Sequence, residues 1–161
     1  MIFFFFTIPI WVIAAIILLF GAAVGSTASW LVSHFLVISL VVWGISLAGV
    51  VILSIKYRKN VAVNLSRALL FLPTYILTAA LLLQAKRALQ RGDLLELLVM
   101  PLLFIIDFAF FAGTGSFVLN RPDSEKEGSG AIVINLILTI AFSMLAWYMG
   151  GSVWKTALSV G

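Results

Sequence analysis

The 161 residues are 63% hydrophobic and 10% charged, with a mean hydropathy of +1.22; soluble domains hold roughly 45–50% apolar and about 25% charged residues, so the composition excludes one. It predicts an all-α integral membrane protein. The net charge of +4 is carried by short basic clusters between apolar runs, the pattern of helices anchored at an anionic membrane surface rather than of a nucleic-acid binder. The absence of cysteine removes disulfides, thiolate metal sites and Fe–S clusters, and a single histidine, His34, cannot build a multi-histidine site. No cofactor is expected.

Apolar runs at about 2–24, 30–55, 68–85, 94–118 and 131–154 predict the spans, since a crossing helix needs roughly 20 residues. The expected fold is one compact domain over residues 1–161, a bundle of five transmembrane helices with short loops, or four if the third run does not cross.

The first run, MIFFFFTIPIWVIAAIILLF, has no basic residue ahead of it and is longer than a signal-peptide core. It is expected to stay in the membrane. His34, just after Trp30 at the start of the second run, reads as an interfacial residue. The stretch KYRKNVAVNLSR is expected to link spans two and three, with its Asn64 glycosylation pattern accidental. The third run contains Pro73 and barely reaches the length of a bilayer, which makes it the weakest crossing. Gly92 is placed to end a helix in the left-handed conformation, and Asp93 with Glu96 three residues on has N-cap spacing for the next. The polar stretch NRPDSEKEGSG reads as a solvated turn before the last span, which carries Trp147, Tyr148, Trp154 and Lys155 as its anchor.

With five spans, Lys56, Arg58, Lys59, Arg67, Arg121 and Lys126 fall on the side of the N-terminus, against Lys86, Arg87, Arg91 and Lys155 on the other. Six against four favours a cytoplasmic N-terminus in a bacterial-type plasma membrane.

The chemical lead is Asp107, in the run FIIDFAFFAGTGSF. It is the fourteenth residue from Leu94, so at about 1.5 Å of rise per residue it sits near the middle of the bilayer. A charge there costs at least ~2.5–3.5 kcal/mol. The carboxyl therefore either carries its proton or faces water, a cation or a donor from another helix. At 100° per residue, Met100, Phe104, Phe111, Thr114 and Val118 share its half of the helix, while Ala109, Ala112, Gly113 and Ser116 form a small-residue stripe on the opposite half, expected to be a packing face. Donors are available on span five, where Asn135, Thr139 and Ser143 lie on one face with Ala146 and Gly150, and on span three at Thr78 and Tyr75.

The membrane region holds one acid and no basic partner at its depth, and no HExxH motif, Ser/His pairing or phosphate loop occurs. The sequence thus predicts a non-enzymatic multi-pass subunit that works by assembling in the lipid bilayer with itself or with other membrane-protein subunits. A proton- or cation-coupled channel or transporter built on Asp107 is the alternative, and a membrane-perturbing, holin-like protein comes third.

Overall fold

A computed structural model describes Trp30 and residues 33–121 and 128–151. The described residues form five α-helices: α1 Phe35–Lys56, α2 Val61–Leu69, α3 Leu72–Arg91, α4 Leu94–Leu119 and α5 Ser129–Gly150. They make four segments long and apolar enough to cross a membrane, because α2 and α3 together form one segment of 31 residues. The first apolar run, 2–24, lies outside the described residues, so four such segments stand in place of the five expected. The end of the span predicted at 131–154 also lies outside them; α5 itself closes at Gly150.

The expected weak link is the centre of the bundle. About 72% of the most apolar 18-residue stretch of the α2–α3 segment is buried, against 17% in each of the other three, and α3 packs against α1, α4 and α5. Its small and apolar residues account for this. Ala79, Ala80, Leu82 and Ala88 are buried on several sides of the helix, so neighbours can approach all round it. Leu70, Phe71, Tyr75, Leu82 and Leu83 continue the core towards Phe35 on α1 and Phe111 and Val118 on α4. The outer helices turn Ile45, Ile52, Leu98, Ile105, Phe108, Ile137 and Met144 outwards. In lipid that is the arrangement of lowest cost.

The segment VAVNLSRAL, expected as part of a connecting loop, is helix α2. Asn60 caps it, its Oδ1 accepting from the Val63 N–H at 3.2 Å. The chain then breaks at Leu70–Phe71, where the backbone N–H groups of Leu70 and Phe71 bond back only three residues, to Arg67 and Ala68. Pro73 therefore sits in the first turn of α3 rather than inside a continuous helix, where its missing N–H does least harm. The third span also runs to Arg91 instead of about residue 85, because its last turns are still held in the bundle: Ala88 is fully buried, and Lys86 hydrogen-bonds Ser33 beside α1.

Gly92 then closes α3 at φ +69°, in the left-handed region, and the Asp93 carboxylate accepts from the Glu96 N–H at 3.1 Å to start α4. At the same end of the bundle His34 stacks on Trp30 with ring centroids 4.4 Å apart, and its Nδ1 lies 2.9 Å from the Trp30 carbonyl. Asn64 is engaged inside the protein, its Nδ2 donating to Ser54 Oγ of α1 at 3.0 Å.

Candidate polar site at mid-depth

Contacts between helices fix the depth of each residue. Phe71 meets Phe111 with ring centroids 5.8 Å apart, and Phe110 meets Phe142 at 5.1 Å. Tyr75 hydrogen-bonds Ser46 of α1. These pairs place the end of α2 and the start of α3 one to two turns from the level of Asp107, well inside the bundle.

Asp107 is fully buried, as are Thr74 and Thr78. It lies on the inward face of α4 with Met100, Phe111, Gly115 and Val118. The Thr78 hydroxyl donates to Asp107 Oδ2 at 2.7 Å and also lies 2.8 Å from the Thr74 carbonyl oxygen. One hydroxyl proton thus has two acceptors in reach. Asp107 Oδ1, Thr74 Oγ1, Ser143 Oγ and Trp43 Nε1 are buried with no hydrogen-bond partner among the described residues. Buried polar atoms are paired in the great majority of cases, and the cross-helix pairings put these four at similar depth.

A second polar cluster lies nearer one end. Asn135 of α5 is fully buried; its Nδ2 donates to Ser66 Oγ of α2 at 3.0 Å, and its Oδ1 accepts from Arg121 at 2.9 Å. The Arg121 guanidinium also sits 4.2 Å from the centre of the Phe117 ring, a favourable cation–π geometry. This cluster ties α2 and the end of α4 to α5.

The polar residues expected around the carboxyl therefore separate. Thr78 reaches Asp107, whereas Tyr75 turns to α1. Thr114 and Thr139 donate to their own helices, at Phe110 O and Asn135 O. Asn135 belongs to the second cluster, and the buried Ser143 hydroxyl has no partner among the described residues.

The small-residue stripe is where the structure departs most from expectation. Ala109, Ala112, Gly113 and Ser116 are all exposed, and a Cβ built at Gly113 has nothing within 4 Å. Within one chain this is an outer face of α4; the inner face is that of Asp107. The reason is that α4 touches α3 along one side only, and the carboxyl and its flanking bulky residues occupy that side.

Sequence reasoning missed Ser46, Ser54, Ser66 and Arg121 as polar partners. For α1 a signal was present. Ser39, Ser46 and Ser54 recur at spacings of seven and eight, with Phe35 and Val50 on the same buried face.

Among the described residues no three His, Asp, Glu or Cys side chains come together as a metal site. Comparison of the chain with protein-family models, with curated proteins and with solved structures gives no match in any of the three.

Proposed function

We propose that the protein is a non-enzymatic multi-pass membrane subunit that acts by assembling, with itself or with larger membrane partners, through the outward face of α4. The observation that supports this is the exposed stripe Ala109, Ala112, Gly113, Ser116. Helix association in lipid depends on close backbone approach, which small residues permit and large ones prevent. Much of the outer surface carries large side chains such as Leu98, Ile105 and Ile137; α1 exposes one shorter small pair, Gly44 and Ala48, so the four-residue stripe on α4 is the longer face open to close approach. The cytoplasmic N-terminus and plasma-membrane location remain part of the proposal, on the basic-residue count. Crosslinking and particle mass in detergent test the assembly: wild-type protein should form a defined complex, and Gly113→Leu should dissociate it while leaving the single chain folded. A monodisperse single chain in both, across detergents and native lipid discs, would remove the reading.

A second reading is favoured by a separate observation, the fully buried Asp107 bonded to Thr78 on the second turn of α3. Ionisable residues buried within spanning segments recur in ion pathways and proton relays. In this reading Asp107 is the group through which a proton or cation couples to a change in the bundle. Asp107→Asn keeps the side chain's shape and removes its charge, so coupled flux in reconstituted vesicles should vanish with folding intact. Unchanged flux would end this second reading without touching the first.

A further inference from the structure

We propose that Asp107, with the hydroxyls of Thr74 and Thr78 on successive turns of α3, binds a single monovalent cation at mid-depth in the bundle. This rests on the second reading above and narrows it from proton or cation to cation.

The donor set is made of oxygens alone. Thr78 Oγ1 already lies 2.7 Å from Asp107 Oδ2, while Asp107 Oδ1 and Thr74 Oγ1, both on fully buried residues, have no hydrogen-bond partner among the described residues. Carboxylate and hydroxyl oxygens suit hard cations.

Charge counting sets the valence. Asp107 supplies one negative charge, and the other acids among the described residues, Asp93 and Glu96, lie eleven residues or more away at the start of α4. Of the elements packed around it, α3 presents Thr74 and Thr78; at the same depth α5 brings Leu145 and Ala146, and α1 brings Trp43 and Ser46. Tyr75, the nearest titratable group, is turned to Ser46. No Lys, Arg or His lies at this level among the described residues, so a bound cation of charge one leaves the interior neutral, whereas a divalent ion would leave it charged at high cost.

The test uses purified full-length protein in detergent, with thermal unfolding followed by tryptophan fluorescence in NaCl, LiCl, KCl or choline chloride at constant ionic strength. At pH 8 the midpoint temperature should rise saturably with Na⁺ or Li⁺ and not with choline, as a ligand of the native state requires. The half-saturating concentration should climb about tenfold per pH unit once protons compete for the carboxylate. Asp107→Asn should unfold cooperatively and lose the response; Thr74→Val, which keeps the acid, should weaken it at least several-fold and carries the test if Asp107→Asn fails to fold. Equal midpoints in all four chlorides would overturn the cation site. If Asp107 then still governs a pH-dependent midpoint, the ligand is a proton and the broader reading stands. Indifference to both pH and cation in wild type and Asp107→Asn removes both.

Discussion

Replacing Thr78 by valine removes one hydroxyl and almost no volume, so no cavity term enters. The Thr74 carbonyl keeps its backbone partner in α3, but Asp107 loses the donor at 2.7 Å and both its oxygens are left unpaired. A buried group so stranded costs about 1–3 kcal/mol. The informative quantity is the coupling energy of a double-mutant cycle with Asp107→Leu. Hydrogen bonds between transmembrane helices average about 0.6 kcal/mol and reach ~1.7, while a bond to a charged group contributes about 1.5–3 kcal/mol. An ionised, cation-bearing Asp107 predicts the larger value at pH 8 in NaCl. Reversible unfolding in mixed micelles with increasing SDS, read by fluorescence, gives the four free energies. A coupling near 0.6 kcal/mol would make the pair an ordinary tie between helices, and one below about 0.3 kcal/mol, the limit of additivity for independent sites, would refute the bond itself.

Gly113→Leu has open space around it in the single chain, so unfolding of that chain should be unchanged or more costly by up to about 1 kcal/mol from helix propensity, while the complex seen by crosslinking is lost. Destabilisation of the isolated chain would show that this face is covered within it. Asn135→Ala removes the bonds to Ser66 and Arg121 together, although Ser66 Oγ keeps the Val63 carbonyl, and should lower stability by about 1–3 kcal/mol; a wild-type midpoint would mean that the cluster is not needed to dock α2. Gly92→Ala places a Cβ at φ +69° and should cost about 1 kcal/mol or slightly more, checked by the same unfolding curves. Reporter tags at Asn60 and Ser124 should be cytoplasmic and a tag at Gly92 on the far side; a shared side for Asn60 and Gly92 would mean that α2–α3 does not cross.

The start of α4 was legible because its signals are local. Gly92 needs a conformation that other residues resist, and Asp93 supplies the acceptor that the first turn of α4 lacks. Helix α2 was not legible as a helix, although Asn60 stands at its cap, because four basic residues around it read as a surface loop. What makes it a helix is tertiary. Val63, Ser66, Arg67 and Ala68 are buried, and α2 packs against α1 and α5. Pro73 misled for a related reason, since a proline within an apolar run reads as a weakness, whereas here it opens α3 after the break.

The two faces of α4 show where sequence periodicity stops. Spacing of three and four residues separates the Asp107 half from the Ala109 half correctly, but it does not say which half meets the bundle. In a soluble helix hydrophobicity answers that, because only the apolar side gains by leaving water. In lipid both sides are apolar and that driving force is absent. What remains is the cost of polar groups in hydrocarbon, which is one-sided: Asp107 on α4 and Asn135 on α5 have to face protein, and both are fully buried. Small residues carry no such sign, since an alanine or glycine face is as cheap against lipid as against a helix. The stripe Ala109, Ala112, Gly113, Ser116 therefore marks a surface that permits close contact, and only a measurement of assembly tells whether a contact is made. Ser39, Ser46 and Ser54 obey the one-sided rule as well: all three are buried on α1, though Ser39 and Ser46 satisfy their hydroxyls on the carbonyls of Leu36 and Val42 in their own helix. The strength of the inference from a residue to the interior thus follows its cost in lipid, and Asp107, the costliest, leaves the least freedom.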